Sequence, residues 1–280
     1  MREKTLDHSI DELIRRAHFE LRADVLGLLT RCLNRETVAR ARSALSMIIQ
    51  NARIARREHR AICQDTGYPV LFVEAGTDVR LSAKMITTLR RCVSQAYARN
   101  CLRPSTTDAL TRTRPSHNGM SCHVEFAPRS RGLTVTLLPK GFGSENKSRL
   151  VMLNPTAQAA DIEAVVLDTV RKAGPDSCPP FIVGVGIGST SDGALLLAKR
   201  ALLERLDRPN AQTALGALER RLLARINALG IGPMGFGGRC TALAVRIKQN
   251  PTHIAGLPVG VNISCHALRS ATVRIPLKCL

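Results

Sequence analysis

Three of the nine cysteines stand in surroundings that suit a metal-binding thiolate. Cys63 lies in the polar loop Ile62-Cys-Gln-Asp-Thr-Gly67, and Cys178 precedes two prolines. Cys265 follows a strand-like run and precedes His266. A proline beside a cysteine fixes the backbone and removes a competing donor. Because these cysteines are far apart in sequence, they can meet only through the tertiary fold.

Three converging thiolates could hold a [4Fe–4S] cluster and leave one iron without a protein ligand. An open iron is a Lewis acid for hydroxyl and carboxylate groups. The spacing alone favours the alternative, in which these cysteines are buried structural thiols. Cys240, in Gly-Gly-Arg-Cys-Thr, competes with Cys265 for the third position. The remaining cysteines are interpreted as packing residues: Cys32, Cys92, Cys101, Cys122 and Cys279.

A second candidate site is the glycine-containing segment Lys140-Gly-Phe-Gly-Ser-Glu-Asn-Lys-Ser148, which we call the glycine loop. Glycines let a backbone approach a ligand closely, and successive free N–H groups can form an anion-binding concavity. Lys140 and Lys147 add positive charge to the same place. The segment therefore predicts a site for a small anion, with a plain surface lysine as the alternative for Lys140.

The net charge of +19 indicates an anionic partner or a solvated basic face. No helix-turn-helix, zinc-finger or RNP pattern accompanies the charge, and aromatic residues are scarce, so nucleic acid is not favoured as the main ligand. No apolar run reaches the roughly 18–20 residues that span a bilayer, and the first residues lack the apolar core of a secretory signal. We therefore expect a cytoplasmic protein whose cysteines are reduced.

Hydrophobic periodicity predicts an α+β fold with helices packed around a mixed, mainly antiparallel sheet in a single domain, 1–280. Residues 1–35 form a helical N-terminal extension of it. Helices are predicted over 7–26, 36–60, 82–99, 156–173 and 211–228, with another from about Asp192. Strands are predicted over 68–75, 181–185, 241–247 and 257–263, with 121–127 and 133–138 as a strand pair. Gly184-Val-Gly-Ile-Gly188 is interpreted as a turn, and its spacing does not favour a dinucleotide site.

Several of these segments occur in a family-like order and together resemble one enzyme family. The chain is similar, over about 40–270, to the α subunit of class I, iron–sulfur-dependent fumarate hydratase, or to the equivalent N-terminal half of the single-chain enzymes. The L-tartrate dehydratase α subunit is a close relative of that family. The segments that carry the resemblance are 62–67, 140–148, 178–188, 229–233, 251–253 and 264–266.

The resemblance implies a role for ten residues. Three of them resemble the cluster ligands: Cys63, Cys178 and Cys265. Five resemble substrate-binding residues, among which the arginine would pair with a carboxylate: Gln64, Arg103, Lys140, Gly141 and Gly143. Two resemble catalytic residues: Asp65 and His253.

The same resemblance implies a lyase subunit that reversibly hydrates fumarate to (S)-malate. A β subunit would supply the base and form a hetero-oligomer with this chain, since the second half of the single-chain enzymes is absent here. The alternatives are a dehydratase of L-tartrate or a related hydroxy-dicarboxylate, or a basic binding protein without activity on the same fold. Two departures leave the substrate open: the altered segment 113–120, and Phe142 within the usual three-glycine loop.

Overall fold

The computed structural model describes residues 3–275, which fall into two compact units. The first unit comprises Met1–Leu21, Ala52–Gly141 and Arg269–Leu280. The second unit comprises Arg22–Asn51 and Phe142–Leu268. The first unit is therefore built from three separate segments of the chain and the second from two.

The first unit is built on one four-stranded sheet. Strands β1 (Tyr68–Gly76), β2 (Ser121–Ala127), β3 (Leu133–Lys140) and β8 (Ala271–Ile275) lie in the order β2-β1-β3-β8. Only the β1–β2 pair is parallel. Helices α1 (Glu3–Phe19) and α4 (Ala83–Arg99) bury their aliphatic faces in the same core as the sheet, which includes Ile10, Ile14, Leu89, Val93, Leu71, Val73, Val135 and Leu137.

The second unit holds the other sheet, whose strands are β4 (Arg149–Leu153), β5 (Phe181–Ser189), β6 (Ala242–Thr252) and β7 (Leu257–Ser264). They lie in the order β4-β7-β5-β6, and only β5 and β6 pair in parallel. The helices with most or all of their residues in this unit are α2 (Ala23–Arg35), α3 (Ala39–Glu58), α5 (Phe142–Glu145), α6 (Ala159–Ala173), α7 (Ser191–Ala201) and α8 (Thr213–Asn227).

Glycines in β5 let helix α7 approach the sheet closely. A Cβ on Gly184 would lie 2.1 Å from the carbonyl oxygen of Ala198, and one on Gly186 would lie 2.0 Å from that of Ala194. The segment 184–188 is therefore part of a buried strand, and its interpretation as a turn was wrong. The alternate glycines leave one face of the strand bare so that a helix can pack on it.

The α+β class with mixed, mainly antiparallel pairing is confirmed, but the strands form two sheets instead of one. The predicted helix over 7–26 is two helices, because α1 ends at Phe19 and α2 begins at Ala23. The predicted pairing of β2 with β3 was wrong, since β1 lies between them. Strand β8 was not predicted. The single domain over 1–280 stays a prediction, and Cys279 lies outside the described residues.

The basic charge of the N-terminal half lies on a solvated surface. Eight arginines on or next to α2 and α3 are all exposed: Arg31, Arg35, Arg40, Arg42, Arg53, Arg56, Arg57 and Arg60. Among the helices of residues 3–275, none is long and apolar enough to cross a membrane.

Because α7 lies so close to β5, even the smallest side chain at a glycine of β5 should strongly destabilise the protein. Gly186→Ala should lower the free energy of unfolding by about 3 kcal/mol or more, because overpacking a tight site forces backbone to move. Gly27→Ala, in α2, is the matched control, since its Cβ would meet only the Arg31 side chain at 3.9 Å. It should raise stability by about 0.5–1 kcal/mol. Urea unfolding of both variants measures the difference, and equal midpoints would contradict the packing argument.

Candidate active site

Hydrogen bonds and a close backbone contact fix the loop around Asp65 within the first unit. The Asp65 Oδ1 atom accepts a hydrogen bond from the Gly67 N–H at 2.9 Å, and the Thr66 hydroxyl donates to the Arg103 carbonyl at 3.1 Å. Gly67 has a φ of +79°, and a Cβ there would lie 2.7 Å from the carbonyl carbon of Pro139. Only glycine combines that conformation with that closeness. The loop therefore packs directly on the end of β3.

This packing brings the Asp65 carboxylate to the first glycine of the glycine loop. A Cβ on Gly141 would lie 3.3 Å from Asp65 Oδ2, so the bare backbone of Gly141 faces the carboxylate. Lys140 precedes it and is only 2% exposed, which excludes the alternative of a plain surface lysine. Gln64 and Arg103 are exposed, and Cys63 is half-buried. The first unit thus gathers five of the predicted site residues with Cys63.

A buried polar layer behind this loop had no signal in the sequence. His18 of α1 is fully buried, with Nε2 3.0 Å from the Thr66 carbonyl oxygen and Nδ1 2.8 Å from that of Ile14. Its ring meets the edge of Tyr97 of α4 at 4.9 Å. Arg269 is also buried and donates from Nη2 to the Asp65 carbonyl at 2.8 Å.

Burial decides the charge of His18. Desolvation, followed by the positive charge of Arg269, lowers the pKa of His18 to about 3, against the opposing effect of the two carbonyls. The ring is therefore neutral in the folded protein, and a neutral imidazole has only one N–H. One of its two carbonyl contacts is then a hydrogen bond and the other is not.

Two of the predicted ligand cysteines belong to the second unit, where His266 links their loops. The backbone N–H of His266 donates to the Cys178 carbonyl at 3.3 Å, and its Nδ1 lies 3.0 Å from the same oxygen. Cys178 follows the short turn Gly174–Ser177 in a left-handed conformation, with φ of 54°. Cys265 directly follows β7. Both are half-buried and form no disulfide within the described residues, and the same holds for Cys63 of the first unit.

The rest of the glycine loop is fixed within the second unit. Glu145, in the one-turn helix α5, accepts from Lys199 Nζ at 2.6 Å and from Asn262 Nδ2 at 2.9 Å. The Ser177 hydroxyl lies 3.4 Å from the Gly143 carbonyl oxygen. Gly143 and Phe142 are exposed, with 48% of the Phe142 surface accessible. The loop thus contacts the turn that carries Cys178.

His253 lies apart from the two cysteines of its unit. It is exposed in the connection between β6 and β7, and its Nδ1 accepts from the Ala255 N–H at 3.1 Å. Cys265 follows the other end of β7, and eight strand residues separate the two positions by roughly 26 Å. The second unit therefore does not bring His253 to Cys178 and Cys265, and a catalytic role of His253 stays a prediction.

The third candidate ligand, Cys240, is not a free thiol. It forms a disulfide with Cys32 of α2, with the two Cα atoms 6.1 Å apart. The expectation that all cysteines are reduced was therefore wrong for this pair, and Cys240 is not available as a metal ligand while this bond is intact. The assignment of Cys265 as the third ligand stays a prediction. Of the other thiols, Cys92 is buried, and burial raises the pKa of Cys122.

The donor set that remains is chemically suited to an iron–sulfur cluster. Cys63, Cys178 and Cys265 form no disulfide within residues 3–275, are half-buried and are flanked by loop backbone, and thiolates are the usual cluster ligands. Between residues 3 and 275, no group of three His, Cys, Asp or Glu side chains could hold a metal ion by itself. The three cysteines belong to different units, and their joint role stays a prediction.

Comparison with known proteins identifies the class of the chain. The family model described as "Fumarate hydratase (Fumerase)" matches residues 7–274, nearly the whole length. The protein is therefore a hydro-lyase. It belongs to the fumarate hydratase (Fumerase) family.

The chain is similar to proteins with two kinds of name. It is 40% identical over 273 residues to the "Putative L(+)-tartrate dehydratase subunit alpha" of Methanocaldococcus jannaschii, which covers 95% of this chain and 96% of that protein. It is 30% identical to the "Putative fumarate hydratase class I" of Geobacillus stearothermophilus over 96% of this chain, but spans only about half (55%) of that protein. It is 25% identical to the L(+)-tartrate dehydratase subunit alpha of Escherichia coli K12, over 90% of this chain and 84% of that protein.

The buried His18 predicts a pH-dependent stability. Because its folded pKa of about 3 lies below the ordinary value of 6.5, protonation favours the unfolded chain. Its contribution is complete above pH 6.5 and is lost as the pH falls from there toward 3. The free energy of unfolding should fall by up to about 1.4 kcal/mol per pH unit from this residue.

Denaturant unfolding of His18→Gln between pH 4 and 7 measures this slope, which should be shallower than in the wild-type protein. His8→Gln is the matched control, since His8 is exposed on the same helix. A slope unchanged in His18→Gln would contradict a neutral, buried His18.

Proposed function

We propose that the chain is the α subunit of a heteromeric hydro-lyase that reversibly hydrates fumarate to (S)-malate with a [4Fe–4S] cluster. The single observation that carries this proposal is the approach of the Asp65 carboxylate to the Gly141 backbone, beside Lys140 and the Arg103 segment. Family membership and the names of the relatives support it.

In this proposal Cys63, Cys178 and Cys265 hold the cluster. When bound, the cluster supplies a Lewis-acidic iron that polarises a hydroxyl and a carboxylate oxygen of the substrate. The half-buried thiols suit this role, since ligands of an open site must be reachable by a small molecule.

The dicarboxylate is recognised by groups of the first unit. The Arg103 guanidinium is exposed and makes no hydrogen bond or ion pair within the described part of the chain, so its fork is available to a carboxylate. Lys140 adds a buried positive charge, and the Gly141 backbone leaves room for close contact. Gly143, in the second unit, is proposed as a further substrate-binding residue on resemblance alone. Gln64 offers an exposed amide as donor or acceptor.

Asp65 is proposed as a catalytic residue that orients the reacting hydroxyl. Its Oδ1 atom accepts a hydrogen bond from the Gly67 N–H, and its Oδ2 atom lies beside Gly141, where it would act as the acceptor for the substrate hydroxyl or a water. His253 is proposed as a second catalytic residue on resemblance alone. Hydration also delivers a proton to C3, and dehydration removes it. We assign the group that gives and takes this proton, the acid in hydration and the base in dehydration, to a β subunit.

The partner and the compartment are inferred from indirect observations. Two of the relatives are named as alpha subunits, which supports a β subunit and a hetero-oligomer. Six of the eight described cysteines form no disulfide, which is typical of a reducing compartment such as the cytoplasm. The Cys32–Cys240 bond is the observation against that compartment.

The second candidate substrate is L-tartrate or a related hydroxy-dicarboxylate. The 40% identical relative carries the tartrate dehydratase name, and this observation favours it. Phe142 and the segment 113–120 are where the chain departs from the fumarate hydratase pattern. An additional hydroxyl on C3 of the substrate would need a polar partner that fumarate hydration does not use.

Turnover by the assembled protein decides between these substrates. The chain, purified anaerobically with a β subunit and reconstituted with iron and sulfide, should convert fumarate to malate at a kcat/KM at least about 100-fold above that for L-tartrate dehydration. Proton NMR of the products formed in D2O measures both reactions and identifies the carbon that acquires deuterium. The chain without its partner should be inactive. Faster turnover of L-tartrate would favour the second substrate, and a brown but inert complex would favour a non-catalytic binding protein.

The cysteine assignment predicts a selective loss of the cluster. Cys178→Ser should abolish the visible absorbance and lower the bound iron to background, because a serine hydroxyl is a poor ligand for cluster iron. Cys122→Ser, at another half-buried free thiol, should retain the wild-type iron content. Iron analysis and visible spectra of the anaerobically reconstituted variants provide the measurement. Equal loss in both variants would refute the ligand assignment.

A further inference from the structure

Arg269 is a buried cation without an anion in the described chain. Only 3% of the residue is exposed, and its one hydrogen bond runs from Nη2 to the Asp65 carbonyl oxygen at 2.8 Å. Its Nε and Nη1 atoms are buried and have no hydrogen-bond partner between residues 3 and 275. No acidic side chain in that range forms an ion pair with it.

A buried cation without a paired anion destabilises the folded protein. Burying a charged group without a partner costs several kcal/mol, and buried arginines are normally paired with carboxylates. A well-packed apolar residue of similar volume at a buried ionic position is often neutral or stabilising. The position of the guanidinium against the Asp65 loop is therefore the feature that calls for a functional explanation.

The surroundings of Arg269 form one polar layer against that loop. The buried Tyr97 hydroxyl also lacks a hydrogen-bond partner. Burial raises the pKa of Tyr97, while the charges of Arg269 and Asp65 act on that pKa in opposite directions. His18 stands against the edge of the same ring and against the Thr66 carbonyl. Two consecutive carbonyls, of Asp65 and Thr66, thus face buried nitrogen atoms.

We propose that Arg269 is a positioning residue for the Asp65 carboxylate. The guanidinium fixes the Asp65 carbonyl, while the Gly67 N–H and the Gly141 backbone bound the carboxylate. With the main chain of Asp65 held on one side, its Oδ2 atom can occupy only a small region beside Gly141. Without Arg269, we expect the loop to keep its fold, but the Asp65 carboxylate would no longer be held in one orientation.

This inference rests on the proposed function, because it assumes that Asp65 acts on the substrate. Arg269→Met keeps the volume and removes the charge and the donors, and Arg269→Lys keeps the charge with a single donor group. Arg274→Met is the matched control, since Arg274 also donates to a carbonyl, that of Arg131 at 3.0 Å, but from an exposed position of the same unit.

In the reconstituted complex, Arg269→Met should lower kcat by about 100-fold, the cost of roughly 1 Å of misplacement. Its KM and iron content should stay near the wild-type values, because Arg103 and the cysteines are untouched. Arg269→Lys should recover kcat to within about tenfold of the wild-type value, since one charge-assisted hydrogen bond is retained. Arg274→Met should match the wild-type protein.

A second readout does not depend on turnover. Hydrogen–deuterium exchange at the Gly67 amide, which is bonded to the Asp65 carboxylate, should become at least about tenfold faster in Arg269→Met, because local opening of this loop becomes easier. The amides of β1 and β3 should keep their protection. Arg274→Met should show the wild-type pattern throughout.

Two results would overturn the inference. One is a kcat and a Gly67 exchange rate in Arg269→Met equal to those of Arg274→Met. The other is a loss of protection across β1 and β3 together with loss of iron, which would make Arg269 a purely structural residue. If the wild-type complex turns over no dicarboxylate, the proposed function fails, and the exchange at Gly67 alone supports or refutes the anchor.

Discussion

The contact of Gly67 with the backbone of Pro139 and Lys140 is the constraint on which the first unit's site depends. The antiparallel register pairs Tyr68 with Lys140, so the start of β1 lies beside the end of β3. A side chain at position 67 would separate them, because its Cβ would lie 2.7 Å from the Pro139 carbonyl carbon. Because position 67 has no side chain, two loops more than 70 residues apart in sequence can lie in direct contact. The position of Asp65 against Gly141 follows from it.

In the polar layer behind these loops, core stability is lower than aliphatic side chains would give, in favour of the proposed role at the candidate site. His18, Tyr97 and Arg269 occupy positions where aliphatic side chains would pack against the surrounding core without loss of hydration. A nitrogen atom of His18 and one of Arg269 instead face the carbonyls of the Asp65 loop. The Tyr97 hydroxyl and two other Arg269 nitrogens lack hydrogen-bond partners among residues 3–275. A preorganised site commonly has this character, since groups that are held in place before the ligand arrives cost nothing to arrange later. The buried aliphatic residues of both sheets compensate for this loss of stability.

The sequence predicted the parts of the fold that local periodicity controls. Strand β1 and helix α4 lie within a residue or two of their predicted bounds, because amphipathic patterns are written into consecutive residues. The pairing of β2 with β3 was wrong because a parallel neighbour, β1, comes from far away in the chain. The glycines of β5 were misread because only the presence of α7 makes a bare strand face favourable.

The site was predictable to the extent that its residues lie in short characteristic segments. Asp65, Lys140 and Gly141 stand in such segments, and the first unit indeed brings them together. His18 and Arg269 are single residues in ordinary helical or loop surroundings, so no pattern distinguishes them from surface side chains. The Cys32–Cys240 bond was equally hidden, because 208 residues separate its two ends.

That disulfide has a topological consequence. The second unit consists of two segments, Arg22–Asn51 and Phe142–Leu268, with 90 residues of the first unit inserted between them. The disulfide joins those two segments covalently, and a loop of this length corresponds to about 5 kcal/mol of lost chain entropy in the unfolded state. A protease cut anywhere in the insertion would leave the two segments of the second unit tied to each other. The disulfide thus links the two segments of the second unit covalently, although its main chain is interrupted by the first unit.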